Sequence, residues 1–252
     1  MRSWGVLVGV LVVSAACGSE SSSPSSSGGD AVTVTVFAAS SLTDAFEEIG
    51  ERFESDNPAA TIRFNFLASS DLAAQIEEGA PASVFASADE ANMTRVGDAG
   101  VLASDPVVFA RNQLEIIVTA GNPQNVSGLE DLEDSSLVIS LCNAECPAGK
   151  YAGEAFENAA VEVDADSLET EVKAVITRVS LGEADAGIVY KTDIDAAGEK
   201  VEGVEIPESD NVIATYPIAA LEGSPSEARD FVDLVTSDPG QGILRGFGFL
   251  PR

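Results

Sequence analysis

Two stretches of this chain pass from strand to helix with no loop between, and they narrow the folds open to it. Val34-Thr35-Val36-Phe37-Ala38-Ala39-Ser40-Ser41-Leu42-Thr43-Asp44-Ala45 begins as an apolar, β-branched strand and ends as an amphipathic helix. Phe64-Asn65-Phe66-Leu67-Ala68-Ser69-Ser70-Asp71-Leu72 repeats the arrangement. Each is the first half of a βα unit, and such units assemble into a parallel sheet with helices on both faces. Ser41 reads as an N-cap, and Asp44 three residues on completes a capping box. A helix start carries unpaired N–H groups and partial positive charge, so it suits an anion. Two serine-lined starts without Lys or Arg suggest an oxyanion held by neutral donors.

The alternation continues along the chain. Strands are expected at 32–37, 60–66, 84–86, 114–119, 136–141 and 186–190, with an extended segment at 212–221. Helices are expected at 42–54, 71–78, 89–97, 127–132, 147–159, 226–236 and 239–246. A long amphipathic helix is expected over 167–181, with Leu168, Val172, Val175, Ile176 and Val179 on one face. The segments near 105–119 and 210–221 are the best candidates for crossings between two lobes.

The charge balance excludes several functions. The chain holds 13 Lys+Arg against 42 Asp+Glu, net −29, which argues against nucleic acid and against docking on anionic lipid. Such acidity reads as a solubility adaptation, for example to salt. There is no histidine, so the usual general base, the commonest metal ligand and Ser-His triads are all missing. The beginning reads as an export signal: Arg2, then an apolar run from Trp4 to Val13 too short to span a bilayer. Ser14-Ala15-Ala16-Cys17-Gly18 follows, similar to a bacterial lipoprotein signal, with 1–16 removed and Cys17 lipidated. The alternative is an ordinary secretory signal cut near Ala16. Residues 17–31, rich in Ser and Gly, form a flexible tether.

Taken together, these motifs resemble the extracytoplasmic molybdate-binding proteins of ABC importers. The resemblance rests on the two serine junctions and on Ser70-Asp71-Leu72-Ala73-Ala74-Gln75-Ile76-Glu77-Glu78-Gly79-Ala80-Pro81, which runs into Val84-Phe85-Ala86. It also rests on Pro147-Ala148-Gly149-Lys150-Tyr151, Gly187-Ile188-Val189-Tyr190 and Tyr216-Pro217-Ile218. It implies an α/β, two-lobed type II periplasmic-binding-protein fold with two crossover segments and the ligand in the cleft between lobes. Lobe one would be 31–110 plus 216–252, and lobe two 111–215. Five residues are implied as oxyanion contacts: Ser41 and Ser69 through hydroxyl and N–H, Ala148 and Val172 through N–H, and Tyr190 through its phenol. For Val172 to offer its N–H, the regular helix must begin near Glu171, later than its apolar face suggests. The implied function is capture of molybdate or tungstate and delivery to ABC permease subunits by a monomer on the outer face of the cytoplasmic membrane. No cofactor, no metal beyond the oxyanion and no catalysed reaction are implied.

Other readings stay open on the residues. Another tetrahedral oxyanion, sulfate or phosphate, would use the same donors. Protonated phosphate needs an acceptor, and Asp71 is the acid nearest in sequence. A Ser41-dependent hydrolase would need a Lys base that neither serine motif supplies. Two departures from the family pattern are Ser83, where Asp is usual, and the loop Cys142-Asn143-Ala144-Glu145-Cys146. In an oxidising compartment Cys142 and Cys146 are expected to form a disulfide that staples the turn into Pro147-Ala148. A metal pair is the alternative.

Overall fold

A computed structural model describes residues 31–252. The signal 1–16, Cys17 and the tether as far as residue 30 lie outside the described residues. The first half alternates as expected: β1 (Val32–Ala39), α1 (Thr43–Asp56), β2 (Ala60–Leu67), α2 (Ser69–Glu77), β3 (Val84–Ala86) and α3 (Glu90–Asp98). β4 (Val107–Thr119) follows, then β5 (Ile139–Cys142), α4 (Pro147–Ala159), β6 (Ser167–Glu169), α5 (Val172–Ser180), β7 (Ala186–Tyr190) and α6 (Lys191–Ala197). The chain closes with β8 (Val201–Glu205), β9 (Ile213–Ala220), α7 (Ser226–Thr236) and α8 (Asp238–Gly246).

The strands lie in the order β2-β1-β3-β9-β4-β7-β5-β6, with β8 also on β4. β1 pairs in parallel with β2 and β3, and β5 with β6 and β7. The centre differs from the wholly parallel expectation, because β9 and β4 run antiparallel to their neighbours. The reason is connectivity. β4 pairs with β9 along Val107–Gln113 and with β7 and β8 along Leu114–Thr119. One long strand therefore serves both halves of the sheet, and β9 brings the chain back alongside it.

Helix packing follows the apolar stripes. α1 buries Ala45, Phe46, Ile49, Gly50 and Phe53. Phe46 meets Phe109 at 5.6 Å between ring centroids, and Phe53 meets Phe231 edge-on at 5.6 Å. Gly50 sits where a Cβ would lie 2.8 Å from the Phe64 ring, so glycine leaves room for that ring between α1 and β2. In the second half Val172, Val175 and Val179 of α5 are buried. Residues 167–169 form β6 instead of continuing that helix: Leu168 pairs with Leu141 and is 65% exposed. The amphipathic reading of 167–181 therefore merged a sheet edge with a helix. α6 and β8 had no expectation at all.

Among the described residues, no helix is long and apolar enough to cross a membrane.

Candidate functional site: a neutral cavity at four helix starts

The ends of β1, β2 and β7 and the helix starts that follow β1, β2, β5 and β6 converge on one small cavity. Its lining comprises Ala39, Ser40, Ser41, Ala68, Ser69, Ala88, Cys146, Pro147, Ala148, Val172 and Tyr190. All five residues implied as oxyanion contacts, Ser41, Ser69, Ala148, Val172 and Tyr190, are on this lining although they are far apart in sequence. Its volume is about 10 Å³, room for one water-sized group and far below the range of drug-sized ligands. No charged side chain lines it.

The backbone supplies much of the chemistry. The first turn of any helix leaves N–H groups without intrahelical partners. α2 begins at Ser69, α4 at Pro147 with Ala148 next, and α5 at Val172 behind Glu171, as the late start expected for α5 requires. Alanines at 39, 68, 88 and 148 keep side chains short, so an ion reaches the backbone. Gly149 allows α4 to press against the end of β5; a Cβ there would lie 2.1 Å from the Asn143 carbonyl oxygen and 2.5 Å from that of Cys142.

The serines do not cap their helices. Residues 40–42 form a single 3₁₀ turn and α1 starts at Thr43, with no side-chain bond at its cap. The capping box of Ser41 with Asp44 is absent; instead the Ser41 hydroxyl lies 3.1 Å from the Tyr216 hydroxyl. Ser69 opens α2 from inside the helix, and its Oγ accepts the N–H of Ala88 at 2.9 Å. The tertiary partners outcompete a local cap because both serines face the cavity rather than solvent. Tyr216, seen in sequence only as part of a family motif, is thus the residue that holds Ser41. Its edge-on contact with Tyr190, 5.8 Å between centroids, is the signal that sequence alone lacks.

Tyr190 is the most informative side chain. It is 1% exposed, and its hydroxyl has no hydrogen-bond partner. An unpaired buried hydroxyl costs roughly 1–3 kcal/mol, so it marks a place where a ligand completes the structure. Burial pushes the phenol well above its ordinary pKa, which keeps it a neutral donor. The Tyr190 N–H donates to Asp193 Oδ2 at 3.2 Å, tying the ring to the start of α6. Asp71, the suspected acceptor for protonated phosphate, is exposed and off the lining.

The disulfide expected between Cys142 and Cys146 is not formed; both thiols are free and buried. A metal pair is not supported either, since no group of three or more His, Cys, Asp or Glu among the described residues is arranged to hold a metal ion.

Asp193 gives the site a pH signature. Burial raises its carboxyl from 3.8 to about 7, against the opposing Tyr190 N–H bond and the charge of Lys173. With a folded-state pKa above the unfolded one, the native protein binds the extra proton between these values. The resulting stability is present at low pH and lost as pH rises through 7. From pH 5 to pH 8 this group should cost about 3 kcal/mol of stability. Asp193→Asn keeps an acceptor for the Tyr190 N–H and should flatten that change, as read by urea unfolding at the two pH values. An equal pH dependence in both proteins would contradict the assignment.

Residues 34–250 match the family of bacterial extracellular solute-binding proteins. The chain is 40% identical to the molybdate-binding protein ModA of Mycobacterium tuberculosis, over 98% of this chain and 97% of that one. It is 31% identical to the molybdate-binding protein ModA of Haemophilus influenzae, over 86% and 89%. A solved structure described as the substrate-binding domain of a molybdenum ABC transporter from Clostridium difficile superposes with a TM-score of 0.66. Its identity is 31%, covering 88% of this chain and 99% of that one. The α/β fold expected from the sequence is the fold these relatives share.

Proposed function

We propose, for a chain that belongs to the bacterial extracellular solute-binding protein family, that it captures molybdate or tungstate and delivers it to an ABC importer. The observation that carries this reading is the single neutral cavity that gathers Ser41, Ser69, Ala148, Val172 and Tyr190. A tetrahedral dianion needs donors on every side and no counter-charge if enough N–H and O–H groups converge. Each hydrogen bond to an ion contributes about 1.5–3 kcal/mol. Ser41 and Ser69 supply hydroxyls from one half of the sheet; Ala148, Val172 and Tyr190 supply N–H groups and a phenol from the other. Closure of lobe one (31–110 plus 216–252) on lobe two (111–215) buries the ion, and the permease senses the closed form.

The family is extracellular, so the protein works outside the cytoplasm. A lipid on Cys17 and the tether 17–31 would hold the monomer at the membrane. The cavity contains no residue that serves as a general base for Ser41, which supports a binding role over hydrolysis. The lack of an acidic side chain on the lining disfavours protonated phosphate, which needs an acceptor.

Calorimetry with molybdate, tungstate, sulfate and phosphate tests the reading. Molybdate and tungstate, alike in shape and charge, should bind with similar affinity, sulfate more weakly, and phosphate without measurable heat. Preference for phosphate, or binding of none of the four, would overturn it.

A further inference from the structure

The turn that feeds α4 carries two buried thiols with no role in holding the anion. Cys142 ends β5 and Cys146 directly precedes Pro147; they are 4% and 3% exposed. The turn between them is tight. The Asn143 side-chain oxygen accepts the N–H groups of Glu145 and Cys146, both at 3.0 Å, and the Asn143 carbonyl also accepts the Cys146 N–H at 3.1 Å. Gly149 brings the first turn of α4 onto the carbonyls of Cys142 and Asn143. Cys146 also lines the anion cavity beside Ala148.

We propose that Cys142 and Cys146 form a reversible dithiol–disulfide couple that sets anion affinity through the first turn of α4. The proposal rests on the anion-binding reading of the same cavity. As a dithiol, Cys146 lines the cavity beside Ala148 without fixing the turn. A Cys142–Cys146 bond closes that turn directly before Pro147, so the first turn of α4 and the Ala148 N–H are held in place for the ion.

The chemistry balances with a small disulfide as oxidant. The Cys146 thiolate attacks one sulfur of glutathione disulfide, giving a mixed disulfide and one glutathione thiolate. The Cys142 sulfur, losing its proton, then displaces the second glutathione as the Cys142–Cys146 bond forms. Two electrons and two protons leave the pair, and the oxidant's S–S bond is the one broken. Cys146 lines the cavity, so an ion bound there shields it.

The test uses the purified protein after glutathione disulfide or dithiothreitol, alkylated and digested with trypsin. One peptide, Asn112–Lys150, contains both cysteines. After the oxidant it should be lighter by two hydrogens and carry no alkyl group; after dithiothreitol it should carry two. Molybdate should slow the oxidation. Calorimetry should find molybdate binding on the order of tenfold tighter to the oxidised form, and the Cys142→Ser variant should show no redox dependence. Full alkylation after the oxidant would overturn the couple. Equal measurable affinities in the two forms would overturn its link to binding. Absence of molybdate binding in both forms would overturn that link together with the reading beneath it, while the peptide masses would still judge the couple.

Discussion

Tyr190→Phe should raise the stability of the ligand-free protein and lower its affinity for molybdate. The two effects have one cause. The Tyr190 hydroxyl is buried without a partner, so its removal relieves a desolvation cost of about 1 kcal/mol or more. The same hydroxyl is a neutral donor facing the cavity, and losing a hydrogen bond to an ion costs about 1.5–3 kcal/mol, or roughly 10- to 100-fold in Kd. Urea unfolding without ligand and calorimetry with molybdate measure the pair of changes. A tyrosine that merely packed would change neither in this pattern; unaltered affinity would remove Tyr190 from the binding site. Ser41→Ala gives a useful contrast. It also removes a donor, but it strips Tyr216 of its partner, so stability and affinity should both fall, stability by about 1 kcal/mol.

Gly149→Ala should disable the second half of the site. A Cβ at this position would lie 2.1 Å and 2.5 Å from two backbone carbonyl oxygens, and neither can swing aside as a side chain would. The start of α4 must therefore withdraw from β5, carrying the Ala148 N–H away from the cavity. A stability loss of about 3 kcal/mol is expected from the overpacking, with molybdate binding weakened by at least about tenfold. Gly153→Ala, on the same helix, is the control. Nothing lies within 4 Å of a Cβ there, and alanine is the better helix former, so stability should rise by about 0.5–1 kcal/mol with binding unchanged. Similar behaviour of the two variants would show that the close approach at Gly149 does not position the donor.

Much of this protein is legible in its local patterns. β1 and α1 could be read from Val34 to Phe53 because a β-branched apolar run and period-3.6 burial each leave a mark in neighbouring residues. The charge balance and the missing histidines narrowed the function before any fold was considered. The five residues implied as anion contacts follow from the family resemblance, residue by residue. What local pattern misjudged was the meaning of the serines. Ser41 and Ser69 sit where caps usually sit, yet their hydroxyls go to Tyr216 and to the Ala88 N–H, partners 175 and 19 residues away.

The sequence by itself determined most of the elements and the neutral character of the two serine-lined helix starts. These depend on residues within a turn or two of each other, where composition and spacing act directly. The tertiary structure alone decided that four helix starts meet at one cavity, that the central strands run antiparallel, and that the Tyr190 hydroxyl is left unpaired. Each of these depends on contacts between segments distant in the chain, and such contacts are set by how β4 and β9 join the halves of the sheet.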